Sequence, residues 1–285
     1  MDDVYIVTGA GTGIGAATAI ELADTGAQIV VNDLGVSVEG ETMDESPAAE
    51  TVEEIEESGG AAIAHEGDVT DPDYARRLIA DATDAFGGVD GIVNFAGILR
   101  NESLIEMSID DFEAVIDVHL RGHFCLLREA ARHWTDQDES GSFLCVSSRA
   151  AFGRADEGNY SAAKAGVLGL MRTAARELAP DNIRVNALMP SASTRMTEYV
   201  YGGDGPVQRD PTKIAPAVGF LLGDGSSDIT GCTVRIAEDT VGLVSDPAIE
   251  RTGLKDGGWD IDALEARFAE DICQGEDLWR AGPTF

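Results

Sequence analysis

A chain of 285 residues with 44% hydrophobic content is long enough to bury one sizeable α/β core or two small ones. Its formal net charge of −32 argues against binding a nucleic-acid backbone or an anionic membrane surface, and no apolar run of about twenty residues is present to span a bilayer. Cys125, Cys145, Cys232 and Cys273 are scattered without a CxxC pair or a histidine at ligand spacing, so free thiols are expected rather than disulfides or a metal site.

The chain enters an apolar strand almost at once, with no basic segment before it, and a cytoplasmic location is expected. That strand, VYIVTG (4–9), runs into TGAGTGIGAA, where Gly9, Gly13, Ile14 and Gly15 lead into the helical pattern IGAATAIELADTG. A glycine-rich turn between strand and helix lets the backbone approach a pyrophosphate seated at the helix N-terminus. The second strand, AQIVVND (27–33), ends in Asp33, which is placed to hydrogen-bond ribose hydroxyls and to repel a 2′-phosphate. No arginine or lysine in the glycine loop or beside Asp33 offsets that repulsion, so NAD rather than NADP is the expected cofactor.

Next comes an acidic stretch, ETMDESPAAETVEEIEESGG, whose helical part closes at Gly59-Gly60. The strand AAIAHEGD (61–68) follows, then a helix opened by Asp71-Pro72, the strand GIVNFAG (91–97), and a long helix over 109–134 with Ser108 before it. SFLCVSS (142–148), a helix over 160–179 and IRVNALMP (183–190) continue the alternation. Buried, β-branched strands alternating with helices predict a single Rossmann-type, doubly wound parallel sheet of about seven strands with helices on both faces, filling residues 1–240. Residues 241–285 are richer in Gly, Asp and Trp and hold one amphipathic helix at about 260–273; this extension is expected to pack on the core or on a neighbouring subunit.

On the helix after the fifth strand, Tyr160 and Lys164 share a face, with Cβ atoms about 5–6 Å apart. A nearby ammonium lowers a phenol from its ordinary pKa of about 10, and a phenol so tuned can exchange a proton with a carbonyl or an alcohol. A core tyrosine beside a snorkelling lysine has the same spacing, so the pair alone leaves both readings open. Of twenty basic residues only Lys164, Lys213 and Lys255 are lysines.

The T-G-x-x-x-G-x-G spacing at 8–15, Ser147-Ser148 before Y-x-x-x-K, Asp68-Val69, Asn94-Phe95-Ala96-Gly97, Asn186, Pro190 and Ile229-Thr230-Gly231 together resemble the short-chain dehydrogenase/reductase family over about residues 3–240. The resemblance implies hydride transfer with NAD, Tyr160 as acid/base, and Lys164 as its pKa-lowering and ribose-binding partner. It implies a serine that holds the substrate oxygen. Alignment of the strand end selects Ser148, although its spacing to Tyr160 is one residue shorter than usual and leaves Ser147 as a rival. Asp68 and Val69 would contact the adenine. Asn94, Ala96 and Gly97 would follow the cofactor after the fourth strand, and Asn186 and Pro190 would flank the nicotinamide. A homodimer or homotetramer pairing through helices 109–134 and 160–179 is also implied.

Two departures from the family pattern stand out. His119, in Val118-His119-Leu120-Arg121-Gly122, replaces the asparagine whose suggested job is to hold a helix kink, the backbone carbonyl there anchoring a water of the proton relay. A backbone carbonyl survives that substitution. Pro190-Ser191 replaces the usual Pro-Gly.

VVNDLG, AGILRNES, VHLRGHF, NYSAAKAGVLGL and SASTRMT are similar to the dehydrogenase part of peroxisomal multifunctional enzymes, which oxidise (3R)-3-hydroxyacyl-CoA thioesters with NAD. This implies a hydroxyacyl-CoA substrate; a steroid, sugar or other small secondary alcohol is the alternative, and an NAD-binding sensor without turnover is the rival from another class. Arg100, Arg121, Arg149, Arg154, Arg195 and Arg209 are candidates for the CoA phosphates. A lid at about 191–213 would carry Met196, Tyr199 and Tyr201 over an apolar pocket. Dispersed acid with Arg in place of Lys resembles proteins of salt-loving archaea.

Overall fold

The computed structural model describes residues 3–36, 46–193, 210–249 and 251–273. The acidic insertion at 37–45 and most of the expected lid, including Arg195, Met196, Tyr199, Tyr201 and Arg209, lie outside the described residues.

The aliphatic runs read as strands pair into one eight-stranded sheet of order β3-β2-β1-β4-β5-β6-β7-β8. β1 (Val4–Thr8), β2 (Gln28–Asp33), β3 (Ala61–Glu66), β4 (Gly91–Asn94), β5 (Gly141–Val146), β6 (Ile183–Ser191) and β7 (Thr233–Ala237) are parallel. β8 (Thr240–Val244) adds an eighth, antiparallel strand beyond the expected seven. Its hairpin turns on Glu238-Asp239, with Glu238 at φ +48°, a turn without the glycine or asparagine that usually marks one.

The helices cover both faces, as a doubly wound sheet requires. On one face, α3 (Pro72–Phe86), α5 (Gly122–Gln137) and α6 (Gly158–Leu178) bury Leu78, Leu126, Trp134 and Met171 against Phe143 and Cys145. On the other, α1 (Gly13–Asp24), α2 (Pro47–Glu57) and α7 (Ala215–Leu222) bury Leu22, Ile55 and Leu221 against Leu144 and Val146. Alternate residues of β5 therefore serve opposite cores, each large side chain contributing about 1.5–3 kcal/mol. β6 is fastened to α7 by Arg184, whose guanidinium donates to the carbonyls of Leu221 (2.9 Å), Leu222 (2.7 Å) and Gly223 (3.1 Å) and to Ser226 Oγ (2.6 Å).

The helix expected over 109–134 is interrupted. α4 (Ile109–Ile116), capped by Ser108 Oγ on the Asp111 N–H (3.0 Å), gives way to a π turn over Asp117–Arg121 before α5 begins. Gly122 N–H reaches back to the Asp117 carbonyl, one residue further than an α-helix allows, and the carbonyl of His119 instead takes the side chain of His123.

The chain divides after Val244 into two compact units, Met1–Val244 and Ser245–Phe285, a few residues beyond the boundary expected at 240. In the second unit α8 (Ile261–Arg267) is capped by Asp260 Oδ1 on Ala263 N–H (2.7 Å), the Arg267 guanidinium lies 5.0 Å from the Trp259 ring centre, and Arg251 donates to the Cys273 carbonyl (2.9 Å). All four cysteines are free thiols. Among the described residues no helix is long and apolar enough to cross a membrane.

Candidate active site

The strand order reverses direction between β1 and β4, and open parallel sheets bind ligands in the crevice at such a switch point. Two glycines let the backbone close in there. Gly9 has φ +62°, and a Cβ on it would lie 2.6 Å from Ala96 N; a Cβ on Gly15 would lie 2.2 Å from the Gly9 carbonyl. Gly13 and Ile14 open α1, which carries neither a side-chain cap nor an acid in its first turn, so its N-terminal N–H groups face the crevice without a competing carboxylate.

Asp33, at the end of β2, accepts from Gly11 N–H and Gly35 N–H, both at 3.0 Å. A carboxylate has about four acceptor positions, so two backbone donors leave room for a pair of hydroxyls. Asp68 and Val69 follow β3 alongside, where Gly67 N–H donates to the Asp33 carbonyl (3.3 Å). Asp68 is exposed and Val69 buried. These residues fit a dinucleotide with its pyrophosphate at α1 and its ribose at Asp33.

Asn94, by contrast, is sealed inside. Its Oδ1 accepts from Thr8 Oγ1 (2.6 Å) and Ala96 N–H (3.0 Å), and its Nδ2 lies 3.0 Å from His123 Nδ1. It ties the ends of β1 and β4 together, while Ala96 and Gly97 form the crevice wall. Asn186 is likewise turned inward, donating to the Ile229 carbonyl (2.7 Å) and accepting from Cys232 N–H (3.0 Å), so it braces the turn before β7 rather than flanking a nicotinamide. Pro190 lies at the far end of β6, opposite Ile236.

The two serines after β5 point to different partners. Ser147, 2% exposed, donates its hydroxyl to the Lys164 carbonyl at 2.9 Å. Ser148 Oγ accepts from Ala150 N–H (3.2 Å), and its side chain favours the ionised form of the Tyr160 phenol. Ser148, not Ser147, thus acts on the Tyr160 phenol. Lys164, 4% exposed, donates Nζ to the Val146 carbonyl (2.8 Å) and lies 5.5 Å from the centre of the Tyr160 ring.

The electrostatics differ from the expectation that the lysine lowers the tyrosine. Burial pushes the Tyr160 phenol up to about 12, with the Ser148 hydrogen bond pulling it back part of the way. Burial also brings the Lys164 ammonium down to about 7. In the free protein desolvation sets the direction of both shifts.

His119 is 1% exposed, edge-on to the Tyr160 ring with centres 5.0 Å apart, and its Cε1 faces Gly97. Its Nε2 is held at Ile98, 2.8 Å from the carbonyl oxygen and 3.2 Å from the amide nitrogen. His123, fully buried, was not marked by the sequence reading. Its Nε2 accepts from Val146 N–H (3.0 Å) and its Nδ1–H donates to the His119 carbonyl (2.5 Å), while burial drives it down to about 3 and keeps it neutral. The i, i+4 spacing from His119 across VHLRGH was the available signal.

A family model described as short chain dehydrogenase matches residues 3–202. Hydroxyacyl-CoA dehydrogenase ChsB1 of Mycobacterium tuberculosis is 36% identical over 290 aligned residues, covering 96% of this chain and 89% of that one. Peroxisomal multifunctional enzyme type 2 of Mus musculus is 38% identical over 228 residues, which are 80% of this chain and 31% of that protein. The crystal structure of a short chain dehydrogenase from Mycobacterium avium has a TM-score of 0.84 and 35% identity, covering 96% of each chain.

Proposed function

The chain belongs to the short-chain dehydrogenase family of oxidoreductases, and from that premise we propose that it interconverts a secondary alcohol and a ketone, with NAD as cofactor and a 3-hydroxyacyl-CoA as substrate. The observation that carries this reading is Lys164 Nζ 5.5 Å from the centre of the Tyr160 ring, with Ser148 favouring the ionised phenol, beside the glycine-lined crevice. The names of two relatives, a hydroxyacyl-CoA dehydrogenase and a peroxisomal multifunctional enzyme, support the substrate class. Asp33, with its unfilled acceptor positions, supports NAD over NADP.

When bound, the oxidised dinucleotide supplies the hydride acceptor and a positive charge that favours phenolate at Tyr160. The chain's own groups manage the oxygen and its proton. Ser148 holds the substrate hydroxyl beside Tyr160. As the carbinol C–H bond breaks and its electron pair leaves with the hydrogen, the O–H proton passes to the Tyr160 oxygen, and the C–O bond gains its second pair. In the reverse direction Tyr160 returns that proton to the forming alkoxide. Lys164, anchored on the Val146 carbonyl, keeps N–H groups that would hold a bound ribose beside the phenol. Assembly as a homodimer or homotetramer would cover the exposed Ile109, Phe112 and Phe124 of α4 and α5.

The test is NADH formation from a panel of 3-hydroxyacyl-CoA thioesters, steroids and polyols. Wild-type protein is expected to turn over the thioesters, and Tyr160→Phe to keep NAD affinity while losing nearly all turnover. Undiminished turnover in that variant would remove Tyr160 from the reaction. NAD binding with no turnover of any panel member would favour a sensor.

A further inference from the structure

Asp33 and Asp68-Val69 are backed by side chains that the proposed reaction does not use. Asn32, next to Asp33 on β2 and 1% exposed, has two amide hydrogens and three acceptors within reach of Nδ2. These are the Tyr74 phenol oxygen (2.7 Å) and the carbonyls of His65 (3.1 Å) and Gly67 (3.2 Å). Tyr74, on α3 and 5% exposed, packs against the backbone at Gly67, where a Cβ would lie 1.9 Å from its ring. Its hydroxyl oxygen is 2.7 Å from His65 Nδ1. His65 Nε2 in turn is 2.8 Å from Oδ2 of Asp81, two helical turns beyond Tyr74 on the same face of α3.

The direction of each bond follows from the ends. A carboxylate only accepts, so Nε2 carries a hydrogen, and in the neutral ring Nδ1 accepts the Tyr74 O–H. Burial raises the Tyr74 phenol well above its ordinary range, so that hydrogen stays on the oxygen. The phenol oxygen is left to accept from Asn32. Asp81, His65, Tyr74 and Asn32 thus form one line of hydrogen bonds from the exposed side of α3 to the end of β2.

Packing alone does not ask for such a line. Apolar side chains would fill the space between α3 and β3 without desolvating polar groups, whereas a satisfied polar network fixes one geometry. What it fixes here is the chain after β3. Gly67 is held by its carbonyl to Asn32 and by its N–H to the Asp33 carbonyl (3.3 Å), and Asp68 and Val69 follow directly. We propose that Tyr74, braced by His65 and Asp81, is a positioning residue of the cofactor site: it sets Gly67-Asp68-Val69 against Asp33 and so governs affinity for the adenosine half of the dinucleotide. The proposal rests on the dinucleotide reading above.

Binding of NADH, followed by its fluorescence, and of AMP, followed by displacement of NADH, tests this in the full chain. Tyr74→Phe keeps the ring against Gly67 and removes only the hydroxyl. It is expected to weaken both ligands about 5- to 20-fold, while single-turnover hydride transfer at saturating NAD, with any panel substrate that reacts, stays within about twofold of wild type. The surface end supplies an independent pair. Asp81→Ala and Asp81→Asn remove the same negative charge, but only asparagine keeps an acceptor for His65 Nε2. The asparagine variant is expected to stay within about twofold of wild type for AMP, and the alanine variant to bind it about three- to fivefold more weakly. Unchanged NADH and AMP affinities in Tyr74→Phe, a hydride-transfer rate that falls in step with affinity, or equal affinities in the two Asp81 variants overturns the proposal. If Tyr74→Phe fails to fold, the Asp81 pair decides alone. A wild-type protein that binds neither NADH nor AMP refutes the dinucleotide reading itself, and the proposal with it.

Discussion

Replacing Lys164 with methionine should make the protein more stable and leave it without useful activity. Below pH 7 the lysine is protonated in both the folded and the unfolded chain, and folding must strip water from the ammonium. Its pKa falls from an ordinary 10.5 to about 7, a gap of about 3.5, worth about 5 kcal/mol at 1.36 kcal/mol for each pH unit. Methionine fills a similar volume at this 4%-exposed position without that cost, but it leaves the Val146 carbonyl short of one donor, a loss of about 1–3 kcal/mol. The net expectation is a gain of about 2–4 kcal/mol at pH 6.5. Between pH 7 and 10.5 the unfolded chain holds a proton that the folded chain has released, so wild-type stability rises through that window and the advantage of the variant shrinks. Above pH 10.5 only the lost hydrogen bond remains, and the variant should be the weaker of the two. Urea unfolding of both proteins without cofactor, at pH 6.5, 8 and 9.5 in constant salt, measures this directly. Equal stabilities at pH 6.5, or a difference that does not change with pH, would refute the argument from burial.

Asp33→Ala should relax discrimination against NADP, read as the ratio of kcat/KM for the two cofactors; an unchanged ratio would assign the preference to another group. Arg184→Met strips donors from the carbonyls at the end of α7 and should cost about 2–4 kcal/mol in urea unfolding with little change in KM. A net charge of −32 predicts that Tm rises by several degrees between 0.1 M and 2 M KCl, where the screening length falls below about 3 Å. A flat or falling Tm would count against adaptation to concentrated salt.

Most of the scaffold was legible because its signals are local. Apolar runs bounded by glycines and helix caps marked six of the seven parallel strands, and Gly9, Gly13 and Gly15 between a strand and a helix announced the crevice. What escaped depends on three dimensions. V-H-L-R contains no proline or glycine to break a helix, so local signals give no π turn at 117–121, and only the family resemblance placed a kink there. Asn94 and Asn186 carry the residue types of a ligand site but are spent, respectively, on a cross-strand hydrogen bond to Thr8 and on bracing the turn before β7. Tyr160 and Lys164 were correctly placed on one face, yet the direction of the phenol's pKa follows from desolvation, which spacing does not report. Ser147 and Ser148 could not be told apart as letters; the Ser147 hydroxyl is spent on the Lys164 carbonyl, whereas the Ser148 side chain acts on the Tyr160 phenol.

Ser147 also bears on where Tyr160 lies. Ser147 grips helix α6 at the carbonyl of residue 164, one turn beyond the tyrosine, so the helix is hung from the sheet by its lysine end. The connection over 149–157 is held as well, by a 3₁₀ turn at Arg149–Phe152, by Glu102 N–H on the Asp156 carbonyl (3.0 Å) and by the Arg154–Glu157 ion pair (3.2 Å). The phenol is thereby moored from both sides, through the sheet below its helix and through the loop that leads into it.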